Sequence, residues 1–206
     1  MKTTLDETSF PTSLPLALYE TCRIGTIETD AGQVFKLVLG LDAQGVAQLK
    51  TLSCADDPAL RENTSDYERF GIGSYEEWYA KGRSIFALLD ETNDALAAIV
   101  WYGPKPFGRK SLKHLPPGEQ AREKESVKEA GDWHTIVVRS YPPYRGTGIM
   151  TGFVQETLNI YKKYFPSARV WAGINGGNAG SIRLFEKLGF TRSEEISTSE
   201  WVGMVL

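Results

Sequence analysis

The chain has 206 residues, 41% of them hydrophobic and five of them tryptophan, enough to bury the core of a single domain. Its formal net charge of -3 arises from interspersed acids and bases, so it lacks the basic footprint of a nucleic-acid binder and that class of partner is set aside. The amino-terminal MKTTLDETSFPTSLPLALYE has no apolar run long enough for a signal peptide, and no later run is long enough to span a bilayer; no membrane partner and a cytoplasmic location are therefore expected.

Residues 1–18 are rich in Thr, Ser and Pro and read as a loosely held arm preceding one domain over 19–206. From Cys22 to Leu52, short runs rich in Val, Ile, Leu and Phe are broken at Asp30–Gly32 and Asp42–Gly45, which predicts a meander of strands. The alternative is a helix starting at Asp42, against which Gly45 weighs only mildly. Asp57 followed by Pro58 marks one helix start, and Ser74 with Glu77 stands at capping-box spacing for a second. Ser84–Leu89 and Ala95–Tyr102 are apolar strands joined through a turn, a hairpin. Between Gly103 and Asp132 lie four prolines and a mixed-charge stretch without an apolar stripe, read as an insertion. Cys22 and Cys54 lack metal or redox spacing and are expected to be buried free thiols.

The last third is more regular. Trp133–Ser140 is a buried-strand pattern stopped by Pro142 and Pro143. Ile149, Phe153, Ile160 and Tyr164 recur at helical spacing, and that helix ends before Pro166. ARVWAGI is a strand, NAGSIRLFEKLG a helix capped by Asn178 and closed by Gly189, and FTRSEEIS and EWVGMVL are two final strands. The order strand, YRGTGIM, helix raises the question of what the glycines hold. Such a loop aims several amide hydrogens, backed by the helix dipole, at one place, a geometry suited to a diphosphate; Gly146 and Gly148 allow close approach and Arg145 adds charge. No GK[ST] exists for a P-loop, and a GxGxxG count from Gly146 meets Thr151 instead of Gly. A glycine turn without any ligand is the remaining alternative for this motif by itself.

IVVRSYPPYRGTGIM followed, after one helix and one strand, by NAGSIRLFEKLGF resembles the GNAT superfamily of acyl-CoA-dependent N-acyltransferases. Pro142, Arg145 and Gly148 match its P-x-x-[QR]-x-x-G-x-[GA] motif; Asn178, Ser181, Lys187, Gly189 and Phe190 match the later one. The resemblance is clear over about 133–191. It implies a mixed α/β (α+β) fold with a mostly antiparallel sheet, flanked by helices and splayed between two central parallel strands. It also implies acetyl-CoA or another acyl-CoA as cosubstrate, no metal, and a primary amine of a small molecule or peptide as acceptor. Oligomeric state is left open, a homodimer included.

By that resemblance the pyrophosphate lies on Arg145, Gly146, Thr147, Gly148, Ile149, Met150 and Thr151. The pantetheine arm runs along Val138, Arg139 and Ser140, with Asn178, Ser181 and Phe185 nearby and a backbone N–H at Ser140 stabilising the developing oxyanion. Two positions depart from the pattern. Met150 replaces Gly or Ala, and Phe185 stands where relatives place a tyrosine that protonates the leaving thiolate, which a phenyl ring cannot do. His134 is the candidate general base, weighed against a structural role. Tyr67, Tyr75, Trp78 and Tyr79 line either an acceptor cleft or a core. Loss of the acid suggests a second class of function, an inactive acyl-CoA-binding or interaction module.

Overall fold

The computed structural model describes residues 1–109 and 130–206. Most of the expected insertion at 103–132 thus lies outside the described residues, although Gly103 and Pro104 extend a strand and Ala130–Asp132 lead into the next. Nine strands form one sheet in the order β1-β2-β3-β4-β5-β6-β7-β9-β8. They are β1 (Lys2–Leu5), β2 (Cys22–Glu28), β3 (Val34–Leu39), β4 (Ser84–Asp90), β5 (Leu96–Pro104), β6 (Trp133–Ser140), β7 (Arg169–Asn175), β8 (Thr191–Ser193) and β9 (Trp201–Val205). Every pairing is antiparallel except β6 with β7. This is the mixed fold expected from the sequence.

Two expectations in the first half are corrected. Residues 1–18 are not a loose arm. Lys2–Leu5 adds an edge strand to β2, and a side chain at Gly25 would run into the Thr4 carbonyl oxygen, so β1 sits closely over that glycine. Tyr164 Oη donates to the Pro11 carbonyl at 2.7 Å, and Phe10, Leu14 and Leu16 pack on the core. Polar composition argued for disorder, but a free sheet edge, against which Thr3 and Leu5 turn inward, outweighed it. The meander also stops after two strands. Its third run is α1 (Ala43–Cys54), because the Asp42 carboxylate caps the Gly45 amide at 2.8 Å and Leu49 drops into the core.

Asp57 caps α2 (Pro58–Asn63) through the Leu60 amide, and Ser74 caps α3 (Tyr75–Tyr79) through the Glu77 amide. The carboxylate that the Ser74 hydroxyl meets is Glu76, at 2.7 Å, rather than Glu77. A π-helical turn, Tyr67–Gly71, joins α2 to α3. These helices cover one sheet face, burying Leu60, Phe70, Tyr75, Trp78 and Tyr79 against Ile99 and Trp101. Of the four candidate acceptor aromatics, three are therefore core and Tyr67 is exposed. The other face is covered by α4 (Ile149–Tyr164), which buries Ile149, Phe153, Val154, Leu158 and Tyr161, and by α5 (Ala179–Lys187). Both cysteines are free, but Cys22 is half-buried and Cys54 exposed, since the C-terminal end of α1 turns its last residue outward. Among the described residues no helix is long and apolar enough to cross a membrane.

Candidate active site

The site begins where β6 and β7 part. They pair only through Trp133↔Arg169, His134↔Val170 and Thr135↔Trp171, while β6 continues beside β5 to Ser140 and β7 beside β9 to Asn175. The Tyr141 amide donates to the Ala97 carbonyl at 2.9 Å. By alternation along an antiparallel ladder, Arg139 and Val137 address β5, so the main-chain groups of Val138 and Ser140 face the side β7 has left. Their carbonyls are held by arginines: Arg139 Nη1 donates to Val138 O at 2.7 Å, and Arg145 Nε and Nη2 donate to Ser140 O at 3.3 and 3.2 Å. The second half of β6 is half-buried and Gly173 of β7 is exposed, which is unusual for strands with neighbours on both sides and follows from the divergence.

A cleft of about 600 Å³ fills the divergence and runs onto the α4 and α5 side of the sheet. The glycine loop forms one end. Tyr144 anchors it, buried, with its hydroxyl donating to Asp90 Oδ2 at 3.0 Å and its ring edge on Phe35. The Tyr144 and Arg145 amides turn back onto the Tyr141 carbonyl, and the Thr147 amide points at the Tyr144 carbonyl at 3.4 Å. No loop carbonyl accepts from the amides of Gly146, Gly148, Ile149 or Met150; the last two open α4, where the first turn has no intrahelical partner for its N–H groups. Gly146 and Gly148 have φ of +81° and +85°, and nothing lies within 4 Å of where a Cβ would stand on either. These glycines serve the left-handed backbone, and the space beside them is open.

Of the residues singled out in the sequence, Val138, Arg139, Ser140, Arg145, Gly146 and Gly148 line this cleft, as do Ile149, Met150, Thr151, Asn178, Ser181 and Phe185. Thr147 does not; its hydroxyl donates to the Tyr144 carbonyl at 2.7 Å and braces the loop. Asn178 caps α5, its Oδ1 accepting from the Ser181 amide at 3.0 Å. Phe185 is buried edge-on to Phe190, a packing role.

Arg145 behaves differently from the expectation. Its guanidinium is forked onto Asp57, at 3.1 and 2.5 Å, as well as onto Ser140 O. That pairing holds the Asp57 carboxyl below its ordinary range. One aspartate thus caps α2 and ties it to the glycine loop. Asp57→Ala removes both contacts and is expected to cost about 1–2 kcal/mol of stability, visible as a lowered Tm.

His134 is displaced from the role considered for it. It is buried on the α4 face, its Nδ1 2.6 Å from the Tyr161 hydroxyl and its ring against Phe165, and it borders neither the cleft nor the depression described next. Burial, with the nearby positive charge of Arg83, lowers its pKa. Its apolar neighbours come from the far end of α4, which the local pattern around Trp133 does not reveal.

Through the gap, on the α2 face, lies a second depression of about 380 Å³ that shares Asn63, Thr64, Val137, Arg139, Gly173 and Asn175 with the cleft. Asn63, Thr64 and Ser65 border it, together with Trp171, Trp201 and Glu200. None of these was singled out in the sequence, since they come from segments far apart in the chain and carry no motif. Beneath it, Asp66 is fully buried and accepts from Arg139 Nε and Nη2 at 2.5 and 3.0 Å and from Arg69 Nη1 at 2.8 Å. Burial pushes its pKa up, but the two guanidinium groups more than reverse this and leave it lowered. Among the described residues no group of three His, Cys, Asp or Glu is arranged to hold a metal ion.

Residues 55–191 match the family model described as an acetyltransferase (GNAT) domain. The chain belongs to the GNAT acetyltransferases. Solved GNAT structures share the fold at low identity. The GNAT domain of S. lividans PAT superposes with a TM-score of 0.58 at 12% identity, over 88% of this chain and 96% of that one. A spermidine N-acetyltransferase from Vibrio cholerae in complex with CoA and spermine gives 0.55 at 15%, over 82% and 94%. A ribosomal-protein-S5-alanine acetyltransferase from Vibrio fischeri gives 0.55 at 13%, over 87% and 94%. Among curated proteins no sequence match was found. In this GNAT chain the parallel pair β6 and β7 is the splayed pair of the family fold.

Proposed function

We propose that this GNAT chain is an active N-acyltransferase that moves an acetyl or other short acyl group from acyl-CoA to a primary amine by direct attack. The observation that carries this is the separation of β6 from β7 after Thr135, with the open amides of Gly146 to Met150 at one end of the resulting cleft. The cleft is a fit for CoA on its own geometry: unpaired N–H groups at a helix start favour a diphosphate, and main-chain groups of Val138 and Ser140 suit the amides of a pantetheine arm.

The bound cosubstrate supplies an activated thioester. The chain supplies position and charge. β6 aligns the thioester carbonyl with the gap, where a main-chain N–H of Val138 or Ser140 stabilises negative charge on its oxygen. The amine nitrogen bonds to the carbonyl carbon, the carbon–sulfur bond breaks, the sulfur leaves as thiolate and takes a proton, and the nitrogen gives one up. Glu200 is the one carboxylate among the described residues bordering the α2-side depression, and in this reading it accepts the amine proton through water. The phenol in the cleft lining, Tyr144, already donates to Asp90, so solvent protonates the thiolate.

Release of free thiol from acetyl-CoA across a panel of amines tests the reading. Turnover supports it; CoA binding without turnover on any amine favours the inactive binding module that Phe185 suggests. Glu200→Gln is expected to lower kcat roughly 100-fold or more, within the usual range for a lost general base, with CoA affinity unchanged. An unaltered kcat and pH profile would remove Glu200 from the mechanism.

A further inference from the structure

Two glycines that face each other across β7 and β9, Gly173 and Gly203, are each covered by a large side chain. A Cβ on Gly173 would run into the Trp201 indole, and one on Gly203 into Ile196. The alternating residues Ala172, Ile174, Val202 and Met204 belong to the core on the α4 face, so Gly173 and Trp201 are turned to the α2 side. Gly173 borders the cleft and the depression alike, whereas Trp201 borders the depression. The indole therefore lies over the β7 edge of the gap, at its α2-side mouth.

The ring is held there from several directions. The Trp201 amide donates to Thr198 Oγ1 at 3.1 Å, and the Trp201 carbonyl accepts from the Thr198 amide at 2.7 Å. The buried Trp171 meets the indole at 69° with centroids 6.1 Å apart, and Ile196 fills the adjoining space over Gly203.

Covalent geometry decides what such a ring would meet. With the pantetheine arm in the cleft, the thioester sulfur reaches the gap from the α4 side; the carbonyl carbon is trigonal, so the acyl chain leaves it away from the sulfur, toward the depression. An acetyl group ends at the gap. A longer chain continues into space that the indole occupies.

We propose that Trp201 is the residue that sets the length of the acyl group, on the acyltransferase reading above, by closing the α2-side mouth of the gap to chains longer than acetyl or propionyl. Gly173 admits the ring to that position, since any side chain there would displace it. Selection is by exclusion.

The test compares acetyl-, propionyl-, butyryl- and hexanoyl-CoA by thiol release with one amine held constant. The wild type is expected to use hexanoyl-CoA roughly tenfold less well in kcat/KM than acetyl-CoA, the scale of overfilling a packed site. Trp201→Ala should raise the hexanoyl-to-acetyl ratio roughly tenfold or more, at about fourfold for each methylene newly buried, and Trp201→Phe should raise it less. A ratio cancels losses common to both cosubstrates, such as a disturbance of the neighbouring Glu200. Calorimetric Kd ratios for the same acyl-CoAs make the comparison without turnover, and Trp201→Phe, which keeps a ring over Gly173, carries it if Trp201→Ala does not fold. Ratios unchanged in the variants, or a wild type indifferent to chain length, overturn the inference and leave the acyltransferase reading intact. Missing CoA heat overturns both, whereas CoA heat without turnover on any amine overturns acyl transfer and leaves the Kd ratios to decide the role of Trp201.

Discussion

Gly148→Glu is expected to lower CoA affinity by about 100-fold or more, some 2.7 kcal/mol, while the domain still folds. Gly148 is the residue before α4 and has φ of +85°, with open space where a Cβ would lie. A Cβ there has no protein atom within 4 Å, so the start of a side chain is accommodated without a clash. The glutamate carboxylate, however, extends into the space that the amides of Gly146, Ile149 and Met150 address, and excludes a diphosphate by both volume and charge. The left-handed backbone adds strain of about 1–2 kcal/mol for any side chain. Gly148→Ala carries that same strain without the charge and is the control. Calorimetry on both variants, with circular dichroism to confirm folding, decides the matter: comparable affinity in Gly148→Glu and the wild type would place the diphosphate elsewhere.

Asp66→Ala is expected to be the most destabilising single change, by about 3–5 kcal/mol. The reason is asymmetry. Asp66 is 0% exposed and takes hydrogen bonds from Arg139 and Arg69; removing it takes a buried carboxylate from beneath two guanidinium groups, of which Arg139 is itself only 13% exposed and forked onto that carboxylate. Denaturant unfolding of the two proteins measures the difference, and a cost below 1 kcal/mol would mean that the arginines find other partners. The pair also predicts a pH dependence. Because the folded-state pKa of Asp66 lies below its unfolded value near 3.8, the unfolded chain binds the proton more tightly. The stabilisation is therefore complete above about pH 5 and is lost as pH falls through the folded-state value. The variant should show a shallower loss of stability in acid than the wild type.

Elements with strong local signals were legible from residues alone. Trp133–Ser140, Ile149–Tyr164 and Ala179–Lys187 form as their periodicity, glycines and caps require, and Asp57, Ser74 and Asn178 each cap the helix that follows them. The run Val46–Leu52 was ambiguous because Val and Leu serve strand or helix equally in a short window. Only the Asp42 cap and burial of Leu49 settle it. Lys2–Leu5 was illegible, since four residues of mixed polarity become a strand only when an open edge is offered.

The same division runs through the site. Local chain chemistry by itself determined the glycine loop, its left-handed residues and the helix start behind it, because positive φ and unpaired amides are properties of a short segment. Arg145 also came from the motif, yet its engagement with Asp57 and Ser140 did not, and neither did the seclusion of His134 against Tyr161. Tertiary structure alone decided where β6 and β7 part, and it gathered Arg69, Arg109, Arg139, Ser65 and Glu200 around one depression. Those residues come from segments distant in sequence, and they share one depression only because the sheet and α2 fold those segments against each other.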